Sequence, residues 1–165
     1  MVNIISKKKV EETVQKLRPE VDCIIVCINW GERYSLNPSK NQIVWAKLLA
    51  FHGVDIIIGN HPAYYQPVSY VKAENGKRAL VFFSLGTFIG YNTKRPEALG
   101  AMANIVISKE NGKTSISSYN LIPTINHIPP EIQGNEYSVY KLTDYNDQLG
   151  KSVNKRFSMD KTETI

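Results

Sequence analysis

Two short runs of apolar residues constrain the fold of this chain most strongly. VDCIIVCIN, residues 21–29, and VDIIIG, residues 54–59, are rich in isoleucine and valine and end in polar sequence. Continuous runs of this kind are typical of strands covered on both faces, as in a parallel or mixed sheet under helices. The segment between the two runs has the signals of a helix. A strand, a helix and a second strand within about 40 residues predict a βαβ unit.

The segment between the two strands carries the signals that start and stop a helix. Asn37 offers an N-cap side chain, Pro38 suits the first helical position, and Gly53 suits the left-handed position that ends a helix. Residues 7–17 predict a further short amphipathic helix. The apolar face predicted for the longer helix comprises Val44, Trp45, Leu48, Leu49 and Phe51.

The second half of the chain changes to a hairpin pattern. Asn75-Gly76 and Asn111-Gly112 each separate two runs of strand-forming residues, which is a strong hairpin signal. We expect these antiparallel strands to lie at the sheet edge or in a second layer. From Thr124 onward the sequence predicts mostly irregular structure, with one short helix over residues 141–153 capped by Thr143.

Charge and composition exclude several classes of protein. The 165 residues carry a net charge of +5, but basic and aromatic residues do not interleave as they do in single-strand binders, so nucleic acid is not an expected partner. No apolar run approaches the roughly 20 residues of a membrane span. The lysine-containing N-terminus has no apolar stretch typical of a signal peptide, which leaves the compartment open.

Both cysteines, Cys23 and Cys27, lie in the first apolar run. On a strand they would be about 13 Å apart on one face, at roughly 3.3 Å per residue. A disulfide needs Cα atoms within about 7 Å of each other. The spacing therefore predicts free thiols, and the apolar surroundings predict that both are buried.

Three polar clusters follow predicted strands. They are NWGERY (29–34), GNHPAY with the following YQP (59–67), and SLGTF (84–88). Ligands of α/β sheets bind at the carboxyl ends of parallel strands, so this placement favours a binding site.

Each cluster also has a purely structural interpretation. Local turn hydrogen bonds would explain His61 and Asn29. A place in the core would explain Trp30, and an exposed ion pair worth little would explain Glu32 with Arg33. His52 and His127 are expected to be structural or solvated.

These clusters resemble the motifs of the CapA/PgsA family of bacterial capsule (poly-γ-glutamate) synthesis proteins. That family has His-Trp-Gly-x-Glu-Tyr after a buried strand, Gly-His-His-Pro-His about 30 residues later, and then Tyr-Ser-Leu-Gly-Asn-Phe. The corresponding segments here are NWGERY, GNHPAY and FSLGTF (83–88). The resemblance extends over roughly residues 2–145.

The resemblance implies an α/β (α+β) fold of the calcineurin-like metallophosphoesterase type, a two-layer β-sandwich flanked by helices. Only the C-terminal half of such a domain would be present, in residues 1–125, followed by an extension over 126–165. The family's divalent metal pair (Mn, Mg or Zn) clamps an anionic group and activates water. Family members usually act outside the cytoplasm through a membrane anchor, which this chain would lack.

Several positions depart from the family pattern. Asn29 and Asn60 replace histidines, Arg33 replaces a glutamate, Ala63 replaces a histidine, and Thr87 replaces an asparagine. The resemblance assigns catalytic roles to His61, Asn29 and Arg33, with His61 and Asn29 also as metal ligands. The residues expected to bind substrate are Trp30, Glu32, Tyr34, Asn60, Tyr64 and Thr87.

Three functional hypotheses follow. The chain could perform metal-assisted chemistry with ligands from a missing half, bind anionic polymer or a partner of the synthesis complex as a degenerate relative, or be an unrelated α/β binding module. Half of a sandwich exposes strand edges and a sheet face. We therefore expect it to form a homodimer or to pair with the missing N-terminal half.

Overall fold

A computed structural model describes residues 6–90, 95–127 and 137–151. Within these ranges lie seven strands and two helices, besides a short helical segment at 147–151. They are α1 (Lys7–Leu17), β1 (Ile25–Asn29), α2 (Lys40–His52), β2 (Ile56–Asn60), β3 (Tyr65–Lys72), β4 (Arg78–Leu85), β5 (Leu99–Glu110), β6 (Lys113–His127) and β7 (Ser138–Lys141). Short 3-10 turns occupy Arg95–Ala98 and Leu142–Asp144. None of the helices in these ranges has the length and apolar character needed to span a membrane.

The strands form two sheets. A four-stranded sheet has the order β1-β2-β4-β3, and a three-stranded sheet has the order β5-β6-β7. β1 pairs with β2 in parallel, which confirms the predicted strand–helix–strand unit, and β2 is also parallel to β4.

Both predicted hairpins are confirmed. β3 and β4 pair antiparallel at one edge of the four-stranded sheet, while β5 and β6 build the second sheet. Asn111 and Gly112 have φ angles of 49° and 75°, as a tight two-residue hairpin turn requires.

The core lies on both faces of the four-stranded sheet. On one face, Ile57, Val81 and Phe83 pack in a cluster with Leu49 and the small residues of α2. On the other face, a cluster joins the two sheets through Ile56, Leu80, Phe82, Ala103, Ile105, Ile116 and Leu121. The expected α/β fold with layered sheets is thus confirmed, and the second sheet covers β2 to β4.

The prediction that the first apolar run is buried on both faces was wrong. Only residues 25–29 form β1, which is an edge strand, and Ile25 is 48% exposed. Cys23 and Cys27 are free, as predicted, but Cys23 is half-buried and Cys27 is exposed. The sequence could not show this, because the burial of the second face depends on how far the other sheet extends.

Helix α2 begins two residues later than its signals suggested. Ser39, not Asn37, is the N-cap, and it forms a reciprocal capping box with Gln42. Gly53 ends the helix at φ 102°, as predicted. The predicted apolar face was partly wrong, because Val44 is 55% exposed and Phe51 44% exposed. Leu49 and the partly buried Trp45 pack against the core as predicted, and two alanines, Ala46 and Ala50, allow the helix to approach the sheet closely.

The region after Thr124 is more regular than expected. β6 continues to His127 and pairs with β7. Residues 147–151 are helical, and the capping side chain is Asn146, whose Oδ1 accepts a hydrogen bond from the Leu149 N–H at 3.0 Å. The predicted cap at Thr143 was therefore wrong, and the last two residues of that predicted helix lie outside the described residues.

Asp55 joins the start of the sheet to the end of α1. Its Oδ2 accepts hydrogen bonds from the Arg18 guanidinium at 2.7 Å and from the Ile24 N–H at 2.8 Å. We expect Asp55→Ala to lower the free energy of unfolding by about 1–2 kcal/mol, because a backbone donor and a guanidinium both lose their acceptor.

Urea unfolding monitored by circular dichroism measures this effect. Asp22→Ala is the matched control, because Lys109 is the only described residue that pairs with Asp22 and both side chains are 56% exposed. Its expected cost is about 0.5 kcal/mol or less. Equal losses in the two variants would contradict the structural role of Asp55.

Candidate functional site

The three polar clusters come together at the carboxyl ends of β1, β2 and β4. Asn29 and Asn60 are direct neighbours in the parallel register of β1 and β2. The backbone N–H of Trp30 donates to the Asn60 carbonyl at 3.1 Å. The Thr87 hydroxyl donates to the Ala63 carbonyl at 3.1 Å, which ties the third cluster to the second. Residues 29–34, 59–64 and 84–88 therefore form one surface, here called the strand-end site.

The backbone of the strand-end site is held in unusual conformations. Four non-glycine residues among those described have positive φ, and three of them belong to this site: Tyr34 (66°), His61 (98°) and Ala63 (62°). Each such residue costs about 1–3 kcal/mol, and such strain concentrates where structure serves binding or catalysis. The Tyr34 N–H donates to the Pro62 carbonyl at 2.7 Å, so the two strained loops stabilise each other.

Two buried glutamines anchor the loop after β1. The Gln42 amide donates to Gln66 Oε1 at 2.8 Å, and its Oε1 accepts from the Ser39 N–H at 2.9 Å. The Gln66 amide in turn donates to the carbonyls of Ser35 and Asn37 at 2.9 and 3.1 Å. Both side chains are 1% exposed or less, so this network fixes the loop from inside the protein.

Trp30 lies beneath the site rather than on its surface. It is 8% exposed, its Nε1 donates to the Phe83 carbonyl at 2.8 Å, and its ring stacks on Phe83 with centroids 5.8 Å apart. A Cβ added at Gly59 would lie 2.2 Å from the Phe83 oxygen and 2.3 Å from Trp30 Nε1. Only glycine at position 59 lets the indole cross β2 to reach β4.

The polar side chains of the site differ in accessibility. Asn29, Glu32, Arg33, Asn60 and His61 are exposed. The remaining expected substrate-binding residues, Tyr34, Tyr64 and Thr87, range from half-buried to exposed.

Arg33 lies beside a pair of tyrosines. Its guanidinium carbon is 5.0 Å from the centre of the Tyr34 ring, and the Tyr34 and Tyr64 ring centroids are 5.7 Å apart. No salt bridge joins Arg33 to another described residue, Glu32 included. The expected Glu32–Arg33 ion pair is thus absent from the described part of the chain, which leaves a cation supported by aromatic rings.

The donor set of the site decides whether it suits a metal ion. Its candidate ligands are the His61 imidazole and the amide oxygens of Asn29 and Asn60. Within residues 6–90, 95–127 and 137–151, no three His, Cys, Asp or Glu side chains are grouped to hold a metal. Zinc sites use three or four His, Cys or carboxylate ligands, and Mg²⁺ is bound through carboxylates. One imidazole and two neutral amides supply neither set, so these donors do not fit a resident metal ion by themselves.

Fold and site together define a two-layer α/β protein with strained loops at the ends of parallel strands. The chain belongs to the family of bacterial capsule synthesis proteins described as PGA_cap, whose family model matches residues 2–92. This match contains all three polar clusters and ends earlier than the resemblance to residue 145 that the sequence suggested.

Two curated relatives are similar to the same part of the chain. The capsule biosynthesis protein CapA of Bacillus anthracis is 30% identical over 95 residues, which cover 56% of this chain and 22% of that protein. The PGA biosynthesis protein CapA of Bacillus subtilis (strain 168) is 30% identical over 89 residues, covering 52% of this chain and 22% of the relative. The match thus spans about a fifth of each relative.

The sequence identified the surface of the site but missed its support. The Ser39–Gln42 spacing is a capping-box signal that would have drawn attention to Gln42, although Asn37-Pro38 offered a competing start. Gln66 lies at the end of the second polar cluster, but the pattern on β3 does not reveal that its amide meets a helix residue 24 positions earlier.

We expect Gly59→Ala to destabilise the protein by about 3 kcal/mol, because the added methyl group breaks the Trp30–Phe83 hydrogen bond and overpacks the sheet. Gly76→Ala is the control, since a Cβ there meets nothing within 4 Å and only the φ of 85° opposes it. It should cost about 1 kcal/mol. Urea unfolding monitored by Trp fluorescence compares the two, and a cost at Gly59 no greater than at Gly76 would refute the crossing of the indole over β2.

Proposed function

We propose that this chain contributes to the synthesis or export of an anionic capsule polymer, of the poly-γ-glutamate type, by binding its acidic groups at the strand-end site. Membership of a family named for capsule synthesis supports the process. The observation that carries the binding role is an exposed Arg33 with no described acidic partner, on a loop fixed by strained and buried residues.

The charges of the strand-end site suit a carboxylate. Glu32 is its only acidic residue, while Arg33 supplies a guanidinium fork that can hold a carboxylate through two parallel hydrogen bonds. Stacking over Tyr34 limits the rotamers of Arg33, so less conformational entropy is lost when an anion binds. The amides of Asn29 and Asn60 and the imidazole of His61 offer neutral hydrogen bonds to neighbouring groups of the polymer.

The less accessible residues have a positioning role in this proposal. The Thr87 hydroxyl already donates to the Ala63 carbonyl, and the indole N–H of Trp30 already donates to the Phe83 carbonyl. Neither group is therefore a free donor for a ligand. Tyr34 and Tyr64 would instead form an aromatic wall beside the bound chain.

Binding of a poly-γ-glutamate oligomer, measured by calorimetry, tests the proposal. We expect Arg33→Gln to weaken binding about tenfold, because one charge-assisted pair is lost. The control is Lys47→Gln, which removes the same charge from the exposed surface of α2, away from the strand-end site. An equal effect of both substitutions would mean that only net charge matters and would refute the site, as would a complete lack of oligomer binding.

A metal-assisted phosphoesterase-type activity is the second candidate function. The position of His61 favours this activity. His61 follows the end of β2 in a strained turn, with a φ of 98°, and its imidazole is exposed. Because the described donors are too few, the other ligands would have to come from another polypeptide segment.

Metal analysis of the purified chain separates the two candidates. We expect no stoichiometric Mn, Mg or Zn after dialysis against each ion, since His61 is the only imidazole of the strand-end site. One retained ion per chain, lost in His61→Ala but not in the control His52→Ala, would favour the metal-assisted alternative over simple polymer binding.

A further inference from the structure

A cavity of about 220 Å³ lies between the two sheets, at the opposite end of the parallel strands from the strand-end site. Asp55 directly precedes β2 and Arg78 begins β4, while Thr114 and Ile116 belong to β6 of the other sheet. The space between these four residues is here called the amino-end cavity. Benzene fits a cavity of about 150 Å³, so the amino-end cavity has room for a small organic molecule.

Among the described residues, two carboxylates line the amino-end cavity, and each already has a cationic partner. Asp55 Oδ2 lies 2.7 Å from the Arg18 guanidinium. Asp22 Oδ2 lies 2.7 Å from the Lys109 ammonium. The charge of both acids is therefore balanced without Arg78, the third charged residue that lines the cavity.

Arg78 provides a cation without a described counterion. It is exposed and forms no salt bridge with another described residue. Its guanidinium carbon lies 4.8 Å from the centre of the Tyr70 ring, and Tyr70 lines the same cavity. Stacking on a ring restricts the guanidinium, whose planar fork suits a carboxylate through two parallel hydrogen bonds. The unbalanced positive charge at the mouth of the cavity therefore favours a monoanion.

Thr114 provides a second group without a partner. Its Oγ1 is buried, and no described residue forms a hydrogen bond with it. Buried hydroxyl groups nearly always have a partner, so an unpartnered one in the wall of a cavity points to a ligand or a water molecule. The apolar side chains of Ile107 and Ile116 also line the cavity. A guanidinium, a hydroxyl donor and an apolar wall together match an organic acid with an aliphatic stem.

We propose that the amino-end cavity binds a small organic monocarboxylate, held by the Arg78 guanidinium and the Thr114 hydroxyl, with its aliphatic stem against the apolar wall. Phosphate suits the cavity less well, because it carries about −1.5 to −2 charges and the two carboxylates of the cavity repel a second negative charge. The amino-end cavity and Arg33 lie at opposite ends of the parallel strands. The proposal therefore does not depend on polymer binding at the strand-end site.

The thiol of Cys23 reports whether the cavity is occupied, because it is half-buried and lines the same space. Iodoacetamide alkylation of the Cys27→Ser variant, followed by mass spectrometry, measures access to Cys23. The reaction is run at about pH 8.5, because burial and the Asp55 carboxylate raise the pKa of Cys23 and only the thiolate reacts. Butyrate is the probe. At about ten times its dissociation constant it should slow the alkylation about tenfold.

Two controls separate binding in the cavity from general effects of the added salt. Butyramide has the size of butyrate without its charge, and at equal concentration and ionic strength it should leave the alkylation rate of Cys23 unchanged. The Cys23→Ser variant reports on Cys27, which is exposed and does not line the cavity. Butyrate should leave the alkylation of Cys27 unchanged.

Three substitutions test the residues that hold the carboxylate. Arg78→Gln should raise the butyrate concentration that halves the rate about tenfold or more, whereas Lys47→Gln, which removes an exposed charge from α2, should leave it unchanged. Thr114→Val should raise it about fivefold. It should not lower the urea midpoint of unfolding, because the hydroxyl that it removes has no described partner. Full protection in Thr114→Val would exclude this hydroxyl from the site.

Other outcomes would overturn the proposal. Unchanged alkylation of Cys23 in butyrate on the order of 100 mM would show that the cavity binds no monocarboxylate. Equal protection by butyramide would remove the role of the charge, and equal protection by inorganic phosphate would show that the cavity does not select a carboxylate. None of these results bears on the calorimetric test at Arg33, so the two proposals fail separately.

Discussion

The buried pair of amides formed by Gln42 and Gln66 fixes the loop that continues from the first segment of the strand-end site. The hydrogen bond between them joins α2 to β3, and the remaining amide groups reach Ser39, Ser35 and Asn37 in the loop after β1. A buried amide without a partner costs about 1–3 kcal/mol, so these side chains hold the loop in the single arrangement that satisfies them all. Gly31 adds to this constraint, because a Cβ at that position would lie 2.5 Å from Gln42 Oε1.

A rigid support makes the strained turns possible. Positive φ at Tyr34, His61 and Ala63 would relax if the loops were free, because L-residues avoid that region. The loops are instead tied to β2 through the Asn60 carbonyl and to one another through the Pro62 and Ala63 carbonyls. The consequence is a surface whose exposed groups are preorganised, which reduces the entropy lost on binding a flexible, charged polymer.

Much of this organisation could be predicted from the sequence. The βαβ unit, both hairpin turns, the glycine that ends α2 and the meeting of three polar clusters are local or nearly local consequences of apolar runs, Asn-Gly pairs and strand ends. The resemblance of NWGERY, GNHPAY and FSLGTF to the capsule-synthesis family was likewise present in the sequence and is confirmed by the family match.

Tertiary structure alone decided the exposure of Cys27, the shift of the α2 cap to Ser39, and the roles of Gln66 and Gly59. Each of these depends on which distant element packs against the residue. The periodicity of one segment does not identify that element. The sequence by itself thus determined the βαβ unit, the two hairpins and the places where polar loops follow their strands, but not β7. Packing between layers determined which of those residues face solvent, because burial is a property of pairs of surfaces and not of one strand.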